Sequence, residues 1–356
     1  FKCDWSSDVC SSDLYRFSHE AVSKDGNLYW QWDYIVDEVI KGLKEARKRG
    51  ELASIGVDFW AVDYGLLDAD NNLVNTPRCY RDSRADKYFE AIPKELTPEY
   101  IYGKTGIQFL FFNTLYQLVA EKNEGNLNKA NKFLMLPDLL NFILCGSQTN
   151  EITNASTTQL LNAFTKDWDW ELIERVGLPK EVFPKLHQPG VFLGNVRGFD
   201  ELDGTPVYSV GSHDTASAVA GTPLDESGTS AYISSGTWSL VGLELSEAKT
   251  NELTFKSNIT NELGVADKVR FIRNVSGLWM LEESIRYWRK AGNDLKVREL
   301  VVEATNLPRG RALINARDPK FTKSGPMPEW IRAECQANGG FVPETPAEIA
   351  LVIFES

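Results

Sequence analysis

Runs suited to strands alternate with longer segments at helical spacing along this chain, and that alternation commits it to an α/β architecture. Residues 33–49 read as a helix: Ile35, Val39, Ile40, Leu43 and Ala46 form one apolar stripe, Asp33 can cap the start, and Arg47, Lys48 and Arg49 suit the negative end before Gly50. Ser54-Ile-Gly-Val-Asp-Phe59 reads as a buried strand, and Ala69-Asp-Asn-Asn72 as the turn of a hairpin that begins at Tyr64. Residues 95–175 read as mostly helical, with 109–119 and 132–144 the clearest spans, and the Pro/Gly-rich stretch 178–198 as a connector. Val207-Tyr-Ser-Val210 then predicts a short strand, Gly211-Ser-His-Asp214 a tight turn, and residues 215–220 the start of a helix. A hairpin over 230–242 turns at Ser234-Ser-Gly-Thr237, and helical spacing returns over 279–288 and 296–305. At 356 residues the chain is too long for one ordinary core. It predicts two domains, 15–222 and 223–356, parting where the new α/β segment opens.

Composition narrows the function classes. A formal net charge of -12 disfavours nucleic acid or an anionic membrane as partner, yet leaves room for a phosphate held locally by backbone amides. The five cysteines, Cys3, Cys10, Cys79, Cys145 and Cys335, form no CxxC pair, so they predict reduced thiols in a cytoplasmic protein and no metal site. Asn154, Asn258 and Asn274 head N-x-S/T patterns that read as chance. The most apolar run, 109–112, is too short to cross a bilayer. Residues 1–14 repeat Ser-Ser-Asp without any period and read as a foreign or misread segment. At the other end, apolar residues at helical spacing begin near Ile349 and stop at Ser356, which reads as a cut inside a helix.

Four segments could carry chemistry. In Gly211-Ser-His-Asp-Thr215 a carboxylate falls at the end of a strand and the first turn of a helix, where α/β folds place ligands. Phosphoryl transfer to a hydroxyl asks for a carboxylate placed to accept its proton. Asp214 suits that role, and equally suits a plain helix cap. In Ser234-Ser-Gly-Thr-Trp238, Gly236 allows close backbone approach and Thr237 offers a hydroxyl and an amide to a phosphate; the alternative is an ordinary hairpin turn. Asp58-Phe-Trp-Ala-Val-Asp63 sets Trp60 between two acids, as a platform for a sugar ring or as a core tryptophan. Tyr80-Arg-Asp-Ser-Arg84 reads as a surface ion network. No GxSxG, Walker A, GxGxxG or HExxH pattern is present, and adjacent Ser212, His213 and Asp214 cannot form a relay triad.

In this order, from about Tyr15 to the end, the segments resemble the FGGY family of carbohydrate kinases. The resemblance rests on 54–63, 80–84, Gly106-Ile-Gln-Phe109, 112–117, Thr153-Asn-Ala-Ser-Thr-Thr-Gln159, 212–218, 234–239, Asn258-Ile-Thr-Asn-Glu262 and Gly277-Leu-Trp279. It implies two actin-like (ribonuclease-H-like) domains with a cleft between them, both incomplete here. It also implies transfer of the ATP γ-phosphate, with Mg²⁺, to the 1-hydroxyl of L-rhamnulose. Residue by residue, Asp214 matches the proton acceptor, and His213, Asp214 and Thr215 match the sugar-binding trio, with Asn274 a further sugar contact. Ala61, beside Trp60, stands where the family has a sugar-contacting glycine; a backbone contact survives that change if φ is negative. Thr237, with Gly236 beside it, matches an ATP-binding position, and Glu282 stands where a related enzyme has an ATP-contacting glutamine. The family's Asp-x-Gly phosphate loop would precede Tyr15 and its glycine triplet would follow Ser356, so the chain as written is expected to turn over little or no ATP. Other readings stay open: a kinase of the same family for xylulose or fuculose, a non-catalytic sugar-binding remnant, and an actin-like scaffold.

Overall fold

The computed structural model describes residues 14–90, 96–225, 229–236, 238–293 and 295–356. Of the segment read as foreign only Leu14 is described, and Thr237 also lies outside the described residues. The chain divides into two compact units: Phe1–Pro223 with Glu244–Phe271, and Leu224–Leu243 with Ile272–Ser356. A four-stranded sheet runs in the order Ala231–Ser235, Trp238–Leu245, Val269–Ser276, Thr260–Leu263. Its second and third strands are where the chain passes from one unit to the other.

The first unit is built on two apolar clusters. One gathers around Phe133, Tyr116, Leu115, Trp168 and Phe183. The other packs Trp32, Ile35, Ile55, Leu139, Leu140 and Val207. The helix Trp32–Arg47 presents its stripe to the second cluster: Ile35 is buried there, and Val39, Ile40 and Leu43 pack at its margin. It starts one residue earlier than expected, so Asp33 sits in the first turn and Gln31 is the residue at the cap.

Three expectations are corrected. Residues 132–144 are not one helix: Lys132–Met135 is a strand, and the helix Leu136–Cys145 follows with Pro137 in its first turn. Antiparallel pairing of that strand with Tyr64–Leu67 decides the matter, since an apolar run alone cannot tell a buried strand from a helix. Residues 109–113 precede the helix Thr114–Asn123 rather than belonging to it. Residues 54–59 form no continuous strand; they meet their parallel neighbour only at Ile55↔Val207 and Phe59↔His213. Between those bridges, a Cβ on Gly56 would lie 2.6 Å from Val210 Cγ1, so a side chain there would push the two segments apart. The hairpin turn at 69–72 is present, with the Asp68 side chain accepting from the backbone N–H of Asp70 and Asn72. A second hairpin, Ala21–Lys24 with Asn27–Trp30, turns on Asp25 and Gly26, both in the left-handed region as a two-residue turn of this kind requires.

In the second unit, the hairpin strands Ala231–Ser235 and Trp238–Leu245 precede four helices. These are Trp279–Lys290, Val297–Thr305, Met327–Ala337 and Pro346–Glu355, gathered on a core that includes Phe321, Met327, Ile331 and Ile349. Thr345 and Glu348 close a reciprocal capping box at the start of the last helix.

Candidate active site

The strand, turn and helix around Asp214 fall where the sequence pattern predicts. The strand Pro206–Tyr208 leads into the turn, and the helix Asp214–Ala220 follows. The neighbouring segment fixes the turn's backbone: Phe59 N–H donates to Ser212 O at 2.9 Å, and Asp214 N–H donates to Phe59 O at 2.9 Å. From the other side comes Glu151, fully buried. Its carboxylate accepts from Ser212 N (2.9 Å), Ser212 Oγ (2.8 Å), Thr153 N (2.9 Å), Thr153 Oγ1 (2.5 Å) and Asn154 N (3.2 Å). Five donors on one carboxylate offset the cost of burying its charge. Asn154 then donates to Ser212 O and Trp60 O, tying the turn to the 58–63 segment. Its amide is buried, which closes it to glycosylation.

Asp214 is the first residue of its helix rather than the cap, a position held by His213. Its side chain is 56% exposed. Oδ1 accepts from Thr215 N at 2.6 Å and Thr215 Oγ1 at 3.2 Å, and lies 3.4 Å from His213 Nε2. The His213 ring is buried. Its Nδ1 lies 2.9 Å from Arg270 Nη2 and 3.3 Å from Glu262 Oε2, and Arg270 Nη2 is 3.2 Å from the same carboxylate. Burial pushes the Glu262 carboxyl up, but the Arg270 charge leads the interactions that hold the group below its usual range. Asp58 is held above its usual range, by desolvation first and by the Asp214 charge second, while the Ser217 hydroxyl and His213 pull the other way. An exposed carboxylate beside a buried, hydrogen-bonded imidazole can take a proton from a hydroxyl that approaches from solvent.

Trp60 is half-buried. It stacks on His19 with ring centres 5.2 Å apart and meets Trp30 at 4.7 Å. Asp63 is fully buried, and its Oδ2 accepts from Trp30 Nε1 (2.6 Å), Trp60 Nε1 (2.9 Å) and Tyr80 N (3.3 Å). Burial raises its carboxyl to about 6 against those bonds. Asp63 is therefore committed to two indoles, which leaves Asp58 as the acid of this pair facing the Asp214 side. Ala61 keeps its φ out of the left-handed region, so the methyl group adds no backbone strain. The next residue does not: Val62 has φ 66°, and Asp63 N–H donates to Ala61 O at 2.9 Å across it. A β-branched residue in this tight three-residue turn is strained. Thr157 Oγ1 accepts its N–H, while Thr114 Oγ1 and Gln117 Nε2 donate to its C=O.

The 80–84 segment is corrected from surface to interior. Arg84, 5% exposed at its side chain, lies between Asp82 at 3.4 Å and Glu121 at 3.6 Å and donates to Gln117 Oε1.

The remaining predicted residues belong to the second unit. Gly236 closes the hairpin, its N–H donating to Trp238 O, and its carbonyl accepts from Leu278 N–H at 3.0 Å. That bond joins it to the start of the helix Trp279–Lys290, whose first turn carries the exposed Glu282. Asn274, half-buried, lies on the strand leading there. Thus backbone ties Gly236 to the helix that carries Glu282, and ties the segment of Trp60 and Ala61 to His213, Asp214 and Thr215 in the first unit. Glu151, Glu262 and Arg270 escaped sequence reading. Only the positions of Glu151 just before 153–159 and of Glu262 ending 258–262 could have drawn notice.

Comparison with known proteins bears on this geometry. The structure matches that of a ligand-bound xylulose kinase from Lactobacillus acidophilus with a TM-score of 0.74 at 18% identity, over 95% of this chain and 70% of that one. A gluconate kinase from the same species gives 0.73 at 19% identity, over 94% and 69%. At such identities the likeness defines the fold: the two-domain, actin-like α/β architecture of sugar kinases. Residues 15–221 match the N-terminal domain of the FGGY family of carbohydrate kinases, and residues 231–356 match its C-terminal domain. The chain is 41% identical to a rhamnulokinase from Ligilactobacillus salivarius over 350 residues, 97% of this chain and 71% of the relative. It is also 41% identical to one from Pectobacterium atrosepticum over 348 residues, 97% and 69%. The chain belongs to the FGGY family of carbohydrate kinases, enzymes that phosphorylate sugars with ATP.

Among the described residues no helix is long and apolar enough to cross a membrane, and Cys79, Cys145 and Cys335 are free and buried.

Proposed function

We propose that the protein is a cytoplasmic kinase for L-rhamnulose, transferring the ATP γ-phosphoryl group to the 1-hydroxyl with Asp214 as general base. The sugar oxygen forms the new bond to phosphorus, the bond from phosphorus to the bridging oxygen of ADP breaks, and the hydroxyl proton passes to Asp214. Residues 15–222 form the sugar-binding part in this reading, with Trp60, Ala61, His213 and Thr215 on the sugar, and Asn274 is assigned a further sugar contact. Residues 223–356 carry the nucleotide side, with Gly236, Thr237 and Glu282. The likeness to rhamnulokinases along almost the whole chain supports this choice of sugar over xylulose or fuculose. The observation that carries the base assignment is the exposed Asp214 carboxylate beside a histidine anchored by buried charge.

Mg²⁺ accompanies ATP. Among the described residues no cluster of three or more His, Cys, Asp or Glu is arranged to hold a metal. Asp58, a hard oxygen donor crowded by Asp214, is the side chain suited to face an ion that arrives on the phosphates. Once bound, the ion neutralises phosphate charge.

The test is Asp214→Asn, made in a chain extended to the full length of the rhamnulokinases it resembles and assayed for ADP release and sugar affinity. Turnover should fall by about 10²–10⁴-fold with the Kd for L-rhamnulose nearly unchanged. Undiminished turnover would remove Asp214 from the role. A panel of L-rhamnulose, xylulose and fuculose tests the sugar, and equal kcat/KM across the three would sink the specificity.

A further inference from the structure

Below the turn, and inside the same unit, lies a buried charge pair that proton transfer by Asp214 does not itself require. Arg270 is 0% exposed. Its Nη2 is 2.9 Å from His213 Nδ1 and donates to Leu263 O at 3.1 Å, and its Nε donates to that carbonyl at 3.2 Å. A guanidinium carries donors only and keeps its proton at any ordinary pH. At 2.9 Å from it, His213 Nδ1 has to offer a lone pair. An imidazole that accepts at Nδ1 carries its hydrogen on Nε2. Nε2 is the nitrogen 3.4 Å from Asp214 Oδ1.

Glu262 fits the same assignment. Its Oε2 lies 3.3 Å from Nδ1 and 3.2 Å from Arg270 Nη2, so a guanidinium hydrogen stands between the carboxylate and the ring. Glu262 then serves as the counter-charge that lets Arg270 be buried, at 3.2 Å.

We propose that Arg270 is a positioning residue that locks His213 in the tautomer with its hydrogen on Nε2, aimed at the Asp214 side of the turn. The consequence for catalysis rests on the function proposed above. His213 then presents a donor to the sugar or to Asp214 and cannot receive the hydroxyl proton, so that proton goes to Asp214 alone. A salt bridge kept only for stability would carry no such preference between the two ring nitrogens.

The test is long-range ¹H–¹⁵N NMR of the histidine-labelled protein near neutral pH, with His213 assigned by the loss of its signals in His213→Gln. Neither sugar nor ATP is needed. A pyrrole-type Nε2 and a pyridine-type Nδ1 support the proposal; hydrogen on Nδ1, or on both nitrogens, overturns it. Glu262→Gln retains the Arg270 donor and should leave the tautomer as it is, whereas a switch would show that Glu262 sets it. Arg270→Met, which removes the donor and is checked for fold by circular dichroism, should lose the tautomer preference and weaken L-rhamnulose binding by about tenfold, the worth of one hydrogen bond. If that variant fails to fold, the parent and Glu262→Gln spectra still decide. The parent spectrum as stated, with no L-rhamnulose binding in a calorimeter, would strike the sugar assignment and leave the role of Arg270 standing.

Discussion

The turn around Asp214 and the hairpin around Gly236 both present small polar residues, but different physics holds them. At the Asp214 turn, buried side chains do the holding. Glu151 gathers Ser212 and Thr153, Asn154 bridges two carbonyls, and Arg270 reaches His213. At the Gly236 hairpin, the holding is by backbone and by lack of room. Leu278 N–H donates to Gly236 O, and a Cβ on Gly277 would lie 2.4 Å from Ser239 Oγ, 2.8 Å from Ser239 N and 3.0 Å from Trp238 C. A side-chain scaffold concentrates its energy in a few charged groups, so single substitutions there have large and specific effects. A backbone scaffold spreads it, and is sensitive instead to added volume.

The largest expected effect tests the first half of that contrast. Glu151→Ala strands the buried N–H and hydroxyl of Ser212 and the buried N–H groups of Thr153 and Asn154. It should cost about 3–5 kcal/mol in urea unfolding. A loss under about 1 kcal/mol would break the contrast. Next comes pH. The strand Leu186–His187 pairs in parallel with Asn150–Glu151, putting His187 opposite Glu151 in register. The His187 ring nitrogens are buried without partners, and burial lowers the ring to about 4. The unfolded chain takes up this proton near pH 6.5 and the folded one only near 4, so stability is full above 6.5 and declines as pH falls to about 4. The total is about 3 kcal/mol. His187→Leu should flatten that slope. Asp63, pushed up to about 6 by burial, works in the opposite sense, its contribution fading as pH rises toward that value. The variant is therefore compared with its parent at each pH. An unchanged slope would show that His187 is solvated. The smallest effect sharpens the second half: Gly277→Ala should cost about 1–3 kcal/mol by crowding. Ser239→Ala should not rescue it, because the backbone atoms of Ser239 and Trp238 remain in the way. Full rescue would mean the tightness belongs to one hydroxyl.

Much of this was readable in the amino-acid order, where local pattern and tertiary need agree. The strand, turn and helix at 206–220, the hairpin from Ala231, and the helices Trp279–Lys290 and Val297–Thr305 all announce themselves by spacing. The failures have physical causes. Lys132–Met135 shares its apolar character with the helix that follows, and only its pairing with Tyr64–Leu67 tells them apart. Asp25-Gly26 is a strong turn signal that went unused, since the residues around it alternate weakly. Arg84, Glu151, Glu262 and Arg270 are the deeper lesson. A charged residue is placed at the surface by default, and nothing local reveals that its partners lie tens of residues away. The candidate site was legible in the residues that would touch ligand and illegible in those that hold them.

Val62 shows what such holding implies for how the chain acquires its structure. Its unfavourable backbone is gripped by Thr114, Gln117 and Thr157, which arrive from two other stretches of the sequence. Until both have docked, nothing opposes relaxation to an ordinary extended conformation. The three-residue turn is therefore expected to form late on the folding route. Loosening its clamps would hasten unfolding while leaving the rate of folding almost untouched.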